Sequence, residues 1–345
     1  MAHLAKKLLL NACSLFPVKP LLQLNKGNTL FIPIYHAITD EKLSHLEHLM
    51  PYGSKTPKQF ENDLDHLLKH LKPISLDTLY DCVVNKKAIP ENSFIVTFDD
   101  GLRQVYENAM PILLRKGVPA VFFINTSVID NQDLLFRYKS SLIVEQVLSF
   151  QKSGKSLDAA MAVLKQNNAI FDGNIVFAVM KISYKQSHVL DSLASVLDLS
   201  WVDYLAKEKP YMTSAQLQDL KAKGFYLGGH TVHHPELWKL SNEEAVSETY
   251  RSAKFIMDTY GLPFSSFAFP FTDVQIKNQF FEGVQQAGGI DLMFGSQKLK
   301  RDIQPNTLQR FDGDNSLIEM DVYIKALLAF QWVNKLRGKT IFTRS

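Results

Sequence analysis

Phe94-Ile95-Val96-Thr97-Phe98-Asp99-Asp100-Gly101 is an apolar run that ends in two adjacent carboxylates and a glycine. It reads as a buried strand delivering acids to its own tip. Immediately downstream, Tyr106, Ala109, Met110, Leu113 and Leu114 follow helical spacing up to Gly117, and residues 119–125 form a second β-rich run. Strand, helix, strand, with acids at the carboxyl end of the first strand, is a βαβ unit.

The same texture extends in both directions. Thr29-Leu30-Phe31-Ile32-Pro33-Ile34-Tyr35-His36 reads as an earlier buried strand with a polar end. Thr56-Pro57 opens a helix whose apolar face is Phe60, Leu64, Leu67 and Leu68, with proline where its missing N–H does no harm. From about residue 130 to 210 the pattern becomes purely helical, with stripes such as Leu142, Ile143, Val147, Leu148 and Leu157, Ala160, Met161, Leu164. This stretch reads as a helical insertion covering one side of the core, with a lid or substrate-recognition role as the alternative. Strand-then-helix order resumes with the capping pattern Thr213-Ser214-Ala215-Gln216, a strand at 225–228, a helix capped by Ser241, a strand at 265–269, a helix over 276–287 and a strand at 292–295. The repeated order predicts an α/β barrel. Three segments are expected: an N-terminal helical segment at 1–28, a catalytic domain at 29–330, and a basic C-terminal tail at 331–345.

A second cluster, Gly229-His230-Thr231-Val232-His233-His234-Pro235, follows the 225–228 run. Histidines four apart put both rings on one side of a turn. By itself that spacing is common by chance. One Asp joined by two His, each set at a strand end, is a ligand set for a hydrolytic metal with open positions. The plainer alternative is a carboxylate pair capping the next helix, where the helix dipole favours negative charge.

Taken together, the Asp99-Asp100-Gly101 and His230-to-His234 motifs resemble the polysaccharide deacetylase family, metal-dependent carbohydrate esterases with a NodB-like domain. The resemblance spans roughly residues 30 to 310. It implies a distorted, incomplete (β/α) barrel, with Asp99 as general base and Asp100, His230 and His234 as ligands of a divalent metal, zinc before cobalt, nickel or manganese. In the family chemistry the metal polarises the acyl carbonyl and acidifies water, and the base takes the proton. Phe267-Ala268-Phe269-Pro270-Phe271-Thr272 occupies the place of the family's Arg-x-Pro-Tyr motif. Pro270 and Phe271 match in type, so the Phe271 N–H is the candidate oxyanion donor. Ala268 stands where the arginine would be, as in a branch with an aromatic-Pro-aromatic version. Arg310 and Asp312 are candidates for the missing positive charge and its partner. Asp312-Gly313-Asp314 loosely resembles the family's fourth motif. No histidine follows His234, so the late general acid of many relatives is missing. Its replacements are His36, a metal-bound water, or His233, which is otherwise expected at the surface or behind the ligands. Tyr35-His36 resembles an early Tyr-His of the same branch, which places both in the expected site.

The bulk numbers bound these readings. The 345 residues, 46% apolar and 21% charged, describe an ordinary globular protein able to bury one large core plus an elaboration. A net charge of +3 is too small to suggest nucleic-acid binding, and no nucleic-acid partner is expected. Two cysteines, Cys13 and Cys82, make no disulfide framework and no metal-like spacing. Lys6-Lys7 followed by Leu8-Leu9-Leu10 faintly resembles a signal peptide. Asn11 and Pro17 interrupt the run and no small-x-small site follows, so a short amphipathic helix is expected, with an uncleaved or unusual export signal as the alternative. Lys335-Leu336-Arg337-Gly338-Lys339 reads as a solvated tail, with attraction to an anionic membrane surface as the alternative. The expected location is the cytoplasm, with peripheral association at the inner membrane face. The expected activity is removal of an N-acetyl group from an amino sugar of a bacterial surface glycan or its precursor. Its rivals are an O-acetyl carbohydrate esterase and a glycan-binding protein with a vestigial site. A phosphate-cleaving enzyme is disfavoured by the lack of a glycine-rich cradle.

Overall fold

The computed structural model describes residues 17–27, 30–169 and 173–344. Eight parallel strands form one sheet: β1 (Pro33–Tyr35), β2 (Val96–Phe98), β3 (Ala120–Ile124), β4 (Tyr226–Gly229), β5 (Ser266–Ala268), β6 (Leu292–Gly295), β7 (Thr307–Gln309) and β8 (Phe311–Asp312). Each of β1 to β6 pairs with the next in number, and β1 also carries β8 on its other edge, so the order runs β8-β1-β2 through β7. The sheet curls into a nearly closed barrel. Its two end strands share no ladder, yet they are joined in sequence by the single residue Arg310. The chain itself therefore spans the seam, which makes this the distorted, incomplete (β/α) barrel that the family resemblance implies.

Outer helices follow the strands. They include α1 (Val18–Leu24), α2 (Pro57–His70), α3 (Leu76–Val84), α4 (Met110–Lys116), then α5 (Phe136–Ser153), α6 (Asp158–Gln166), α7 (Ile175–Lys181), α8 (His188–Val196) and α9 (Trp201–Glu208), and finally α10 (Ser214–Ala222), α11 (Asn242–Tyr260), α12 (Asn278–Gln286) and α13 (Met320–Leu336). Local chemistry sets several boundaries. Thr56, Thr213 and Ser241 each form a reciprocal capping box with the residue three further on. Gly117 and Gly261 end α4 and α11 in left-handed geometry. The strands are buried on both sides, which is why they read as continuous apolar runs. A Cβ on Gly229 would lie 2.5 Å from the Ala253 backbone nitrogen, so glycine there lets α11 pack directly on β4.

Helices α5 to α9 form a separate layer with its own core, including Ile143, Val147, Leu164, Val179, Val189 and Leu193. The layer is fastened at its exit: Gly101 and Leu102 pair with Tyr211 and Met212, through Met212 N–H to Gly101 O at 2.9 Å.

The C-terminal segment matches the expected solvated tail only in part. Helix α13 continues to Leu336, residues 341–342 pair with 301–302, and the Arg344 guanidinium is fully buried between Asp273 and Asp302. Two buried carboxylates need a cation, which Arg344 supplies, whereas Lys335, Arg337 and Lys339 of the expected solvated run are exposed. The N-terminal expectation covers α1, whereas residues 1–16 and 28, with Cys13, lie outside the described residues. Cys82 is a free, buried thiol on α3. Among the described residues no helix is long and apolar enough to cross a membrane.

Candidate active site

The carboxyl ends of the strands meet at one face of the barrel, as in other parallel barrels with sites there. They floor a cleft of about 710 Å³ whose lining includes His36, Asp99, Asp100, His234, Phe271 and Arg310. Loop 46–53 forms one wall, and Arg137, Tyr138 and Met180 of the insertion form another.

Asp99 and Asp100 follow β2. Neighbours on a strand point to opposite faces, yet both carboxylates reach this cleft. The cause is backbone geometry: Asp100 and Gly101 both sit at φ +70°. The left-handed turn swings the second acid back toward the barrel mouth. Thr231 (φ +68°), His234 (φ +58°) and Phe271 (φ +57°) share that uncommon geometry. Left-handed non-glycine residues concentrated at one cleft are a sign of a site built at some cost in strain.

Asp100, His230 and His234 are all buried and bring one ligand atom each within 4.8 Å of the others. The Asp100 Oδ1 lies 3.3 Å from His230 Nε2 and 3.2 Å from His234 Nε2. His230 Nδ1–H donates to the Ala268 carbonyl at 2.8 Å. A carbonyl can only accept, so Nδ1 carries a proton and Nε2 is the ring atom left to face Asp100. Asp100 Oδ1 is buried with no hydrogen-bond partner among the described residues. Three electron-rich atoms facing one another favour a cation between them, and the donor set of two imidazoles and one carboxylate suits zinc-type ions. His234 is packed edge-on against Phe271, with ring centroids 4.5 Å apart. Asn125 Nδ2 donates to the His230 carbonyl and steadies the same loop.

Asp99 is 4% exposed and held by Arg310, whose Nη1 and Nη2 donate to Oδ1 and Oδ2 at 2.7 and 2.9 Å. Burial pushes its pKa up, but the Arg310 charge, then His230 and the Arg310 hydrogen bonds, outweigh that and leave it below the usual carboxylate range. Arg310 thus occupies the role left open by Ala268. Its expected partner Asp312 instead accepts the Asp314 N–H at 2.9 Å.

His36 lines the cleft just beyond β1. Its Nδ1–H donates to Asp314 Oδ2 at 2.5 Å, and its backbone N–H donates to Asp314 Oδ1 at 3.0 Å. Desolvation disfavours the charged ring, but Asp314, followed by Asp100 and Asp99, raises its pKa to about 10. A dication beside Asp100 would work in the opposite direction.

Other candidates fall differently. Tyr35, expected in the site, lies in the core. Its hydroxyl donates to Asp63 at 2.9 Å and its ring packs on Phe60 and Phe98. Strand alternation is the reason: Ile34 and His36 face the cleft, so Tyr35 between them cannot. Pro270 is buried behind the lining and accepts the Thr272 N–H at 2.7 Å, tightening the turn that presents Phe271. Phe271 N–H has no protein acceptor among the described residues. His233 points away, donating through Nδ1 to Glu248 at 2.7 Å. Sequence reasoning missed Tyr138, which donates to Asp100 Oδ2 at 2.6 Å, and Arg137, which bonds Glu236 at 2.6 Å. No local pattern marks either, since both sit in an amphipathic helix.

A family model described as polysaccharide deacetylase matches residues 86–288, more than half of the chain. The chain belongs to this family. The match takes in the Asp99-Asp100 and His230–His234 motifs and ends before Arg310. Solved structures share its fold. The Streptococcus pyogenes deacetylase PplD, solved with acetate, is 13% identical with a TM-score of 0.54, over 86% of this chain and 97% of that one. IcaB from Ammonifex degensii is 16% identical with a TM-score of 0.54, over 87% and 98%. A de-N-acetylase from Aggregatibacter actinomycetemcomitans is 16% identical with a TM-score of 0.52, over 86% and 99%. Among curated proteins none matches the chain.

Proposed function

We propose that the chain is a metal-dependent hydrolase that removes the acetyl group from an N-acetylated amino sugar of a bacterial surface polysaccharide or its precursor. The observation that carries this reading is the convergence of Asp100 Oδ1 with the Nε2 atoms of His230 and His234, beside an Asp99 carboxylate clamped by Arg310. A divalent ion held by Asp100, His230 and His234 would supply Lewis acidity toward the acyl oxygen and acidify water at neutral pH. Asp99, kept ionised and aimed by Arg310, accepts the proton of the attacking water. Attack on the acyl carbon gives a tetrahedral oxyanion, toward which the Phe271 N–H is the proposed donor. Breaking the C–N bond then requires a proton on the amine, and His36, oriented by Asp314, is the proposed source. Acetate and the free amino sugar are the products. The cytoplasm, with the inner membrane face, is the proposed location, which cell fractionation tests.

Acetate release from matched N-acetylated and O-acetylated oligosaccharides, with and without chelator and with metal added back, tests the function. Release from the N-acetylated set, abolished by chelator and restored by metal, is expected. Release confined to the esters, or indifferent to chelator, would overturn it.

A further inference from the structure

We propose that Tyr138 is a positioning residue for the metal, and that the helical insertion completes the metal site rather than only covering the barrel. This rests on the reading of Asp100, His230 and His234 as ligands. The two oxygens of Asp100 are treated differently by the fold. Oδ2 accepts the Tyr138 hydroxyl at 2.6 Å, while Oδ1 has no hydrogen-bond partner among the described residues and faces both histidine Nε2 atoms. A carboxylate can turn about its Cβ–Cγ bond. A hydrogen bond to one oxygen fixes its plane and reserves the other oxygen for ligation.

Tyr138 can do this because its own ring is immobilised. It is 3% exposed, lies parallel to Tyr211 at 5.9 Å between centroids, and packs on His45 at 5.1 Å. The fastening runs through both ends of the insertion. At the entrance, Leu135 N–H donates to the Tyr211 hydroxyl at 3.1 Å. At the exit, Met212 N–H donates to the carbonyl of Gly101, the residue after Asp100. The residue before Tyr138 addresses the other ligand loop: Arg137 Nη2 donates to Glu236 Oε1 at 2.6 Å, two residues beyond His234. Consecutive residues of α5 therefore reach both loops that bear ligands. Docking of the insertion and binding of the metal are consequently linked, and each strengthens the other.

Zinc affinity of the full chain, read by competition against a chromophoric chelator, tests the proposal without reference to turnover. Tyr138→Phe keeps the ring and removes only the hydroxyl. It should weaken zinc binding about 10- to 100-fold, the usual cost of losing a ligand's orienting partner. Ser192→Ala removes another insertion hydroxyl, the one donating to the His188 carbonyl at 3.3 Å, and should leave zinc affinity unchanged. Equal zinc affinity in wild type and Tyr138→Phe would overturn the proposal while leaving the metal assignment intact. An equal loss in both variants would also overturn it, because the effect would then be general loosening. Wild-type protein that binds no zinc would instead remove the ligand assignment itself. Hydrogen exchange on the wild type covers the case in which the variant fails to fold. Added zinc should slow exchange at residues 135–140 and 210–212, and an unchanged rate there would overturn the linkage.

Discussion

Arg310 donates one hydrogen bond from each terminal nitrogen to each oxygen of Asp99, at 2.7 and 2.9 Å, across 211 residues of sequence. The pair exists because Arg310 is the one residue between β7 and β8, at the seam of the barrel. From there its side chain also donates to the Gly295 carbonyl and to Thr97 Oγ1, at 3.2 and 3.3 Å. A planar fork matched to a carboxylate fixes both the charge and the orientation of Asp99.

Asp99→Asn should keep the metal content of the wild type and lose turnover by about 100-fold or more, the scale of general-base loss. Arg310→Lys keeps the charge but not the fork, so a large part of the turnover should still be lost. Steady-state kinetics with metal analysis checks both. Turnover near wild type in Asp99→Asn would remove the base assignment.

Asp100→Ala and His234→Ala each delete one ligand atom from a three-atom set. Both proteins should purify folded, by circular dichroism, with their bound metal depleted. Full metal occupancy in both would remove the proposed centre, whatever the enzyme's activity.

His36→Ala should slow amide cleavage more than ester cleavage, because an alkoxide departs with less help from a proton donor than an amine does. Asp314→Asn should act in the same direction, since it loosens the His36 ring from its 2.5 Å contact. Parallel rates on N-acetyl and O-acetyl substrates supply the measurement. Equal losses on the two would point to a role in binding rather than in proton delivery.

Arg344 gives a prediction about stability. Asp273 is buried, which raises its pKa, but the Gln309 hydrogen bond and the Arg344 charge outweigh this and lower it below the usual value. A depressed folded-state pKa contributes stability above the unfolded value of about 4 and loses it as pH falls through the folded value. Wild-type stability should therefore decline on acidification below about pH 4 through this group. Arg344→Met leaves a buried carboxylate pair without its cation, costing about 3–5 kcal/mol at neutral pH. Burial then dominates at Asp273 and the sign reverses: the variant should gain stability as pH falls from 7 toward 5. Urea melts across pH would show it, and parallel pH profiles for the two proteins would contradict it.

Local pattern made much of the architecture readable. Apolar runs closed by Asp99-Asp100 and by His230, capping boxes at Thr56, Thr213 and Ser241, and glycines at 117 and 261 act over a few residues each, so they survive in one dimension. The family resemblance then turned repeated strand-helix order into this barrel. Tyr35 marks where pattern fails: a Tyr-His pair reads as two site residues, but strand alternation lets only His36 face the cleft. Arg344 in the basic C-terminal segment is missed for a different reason. Its charge is legible, but whether Arg344 meets water or two buried carboxylates depends on where Asp273 and Asp302 lie.

The sequence by itself determined which side chains form the candidate site, because acids and histidines placed at the carboxyl ends of parallel strands gather at one mouth of the barrel. Only the tertiary structure decided how those groups are held. Arg310 reaches Asp99 through closure of the seam, and Tyr138 reaches Asp100 through docking of the insertion. Both contacts join residues far apart in the chain. Their geometry comes from packing and backbone turns that no short stretch of sequence encodes.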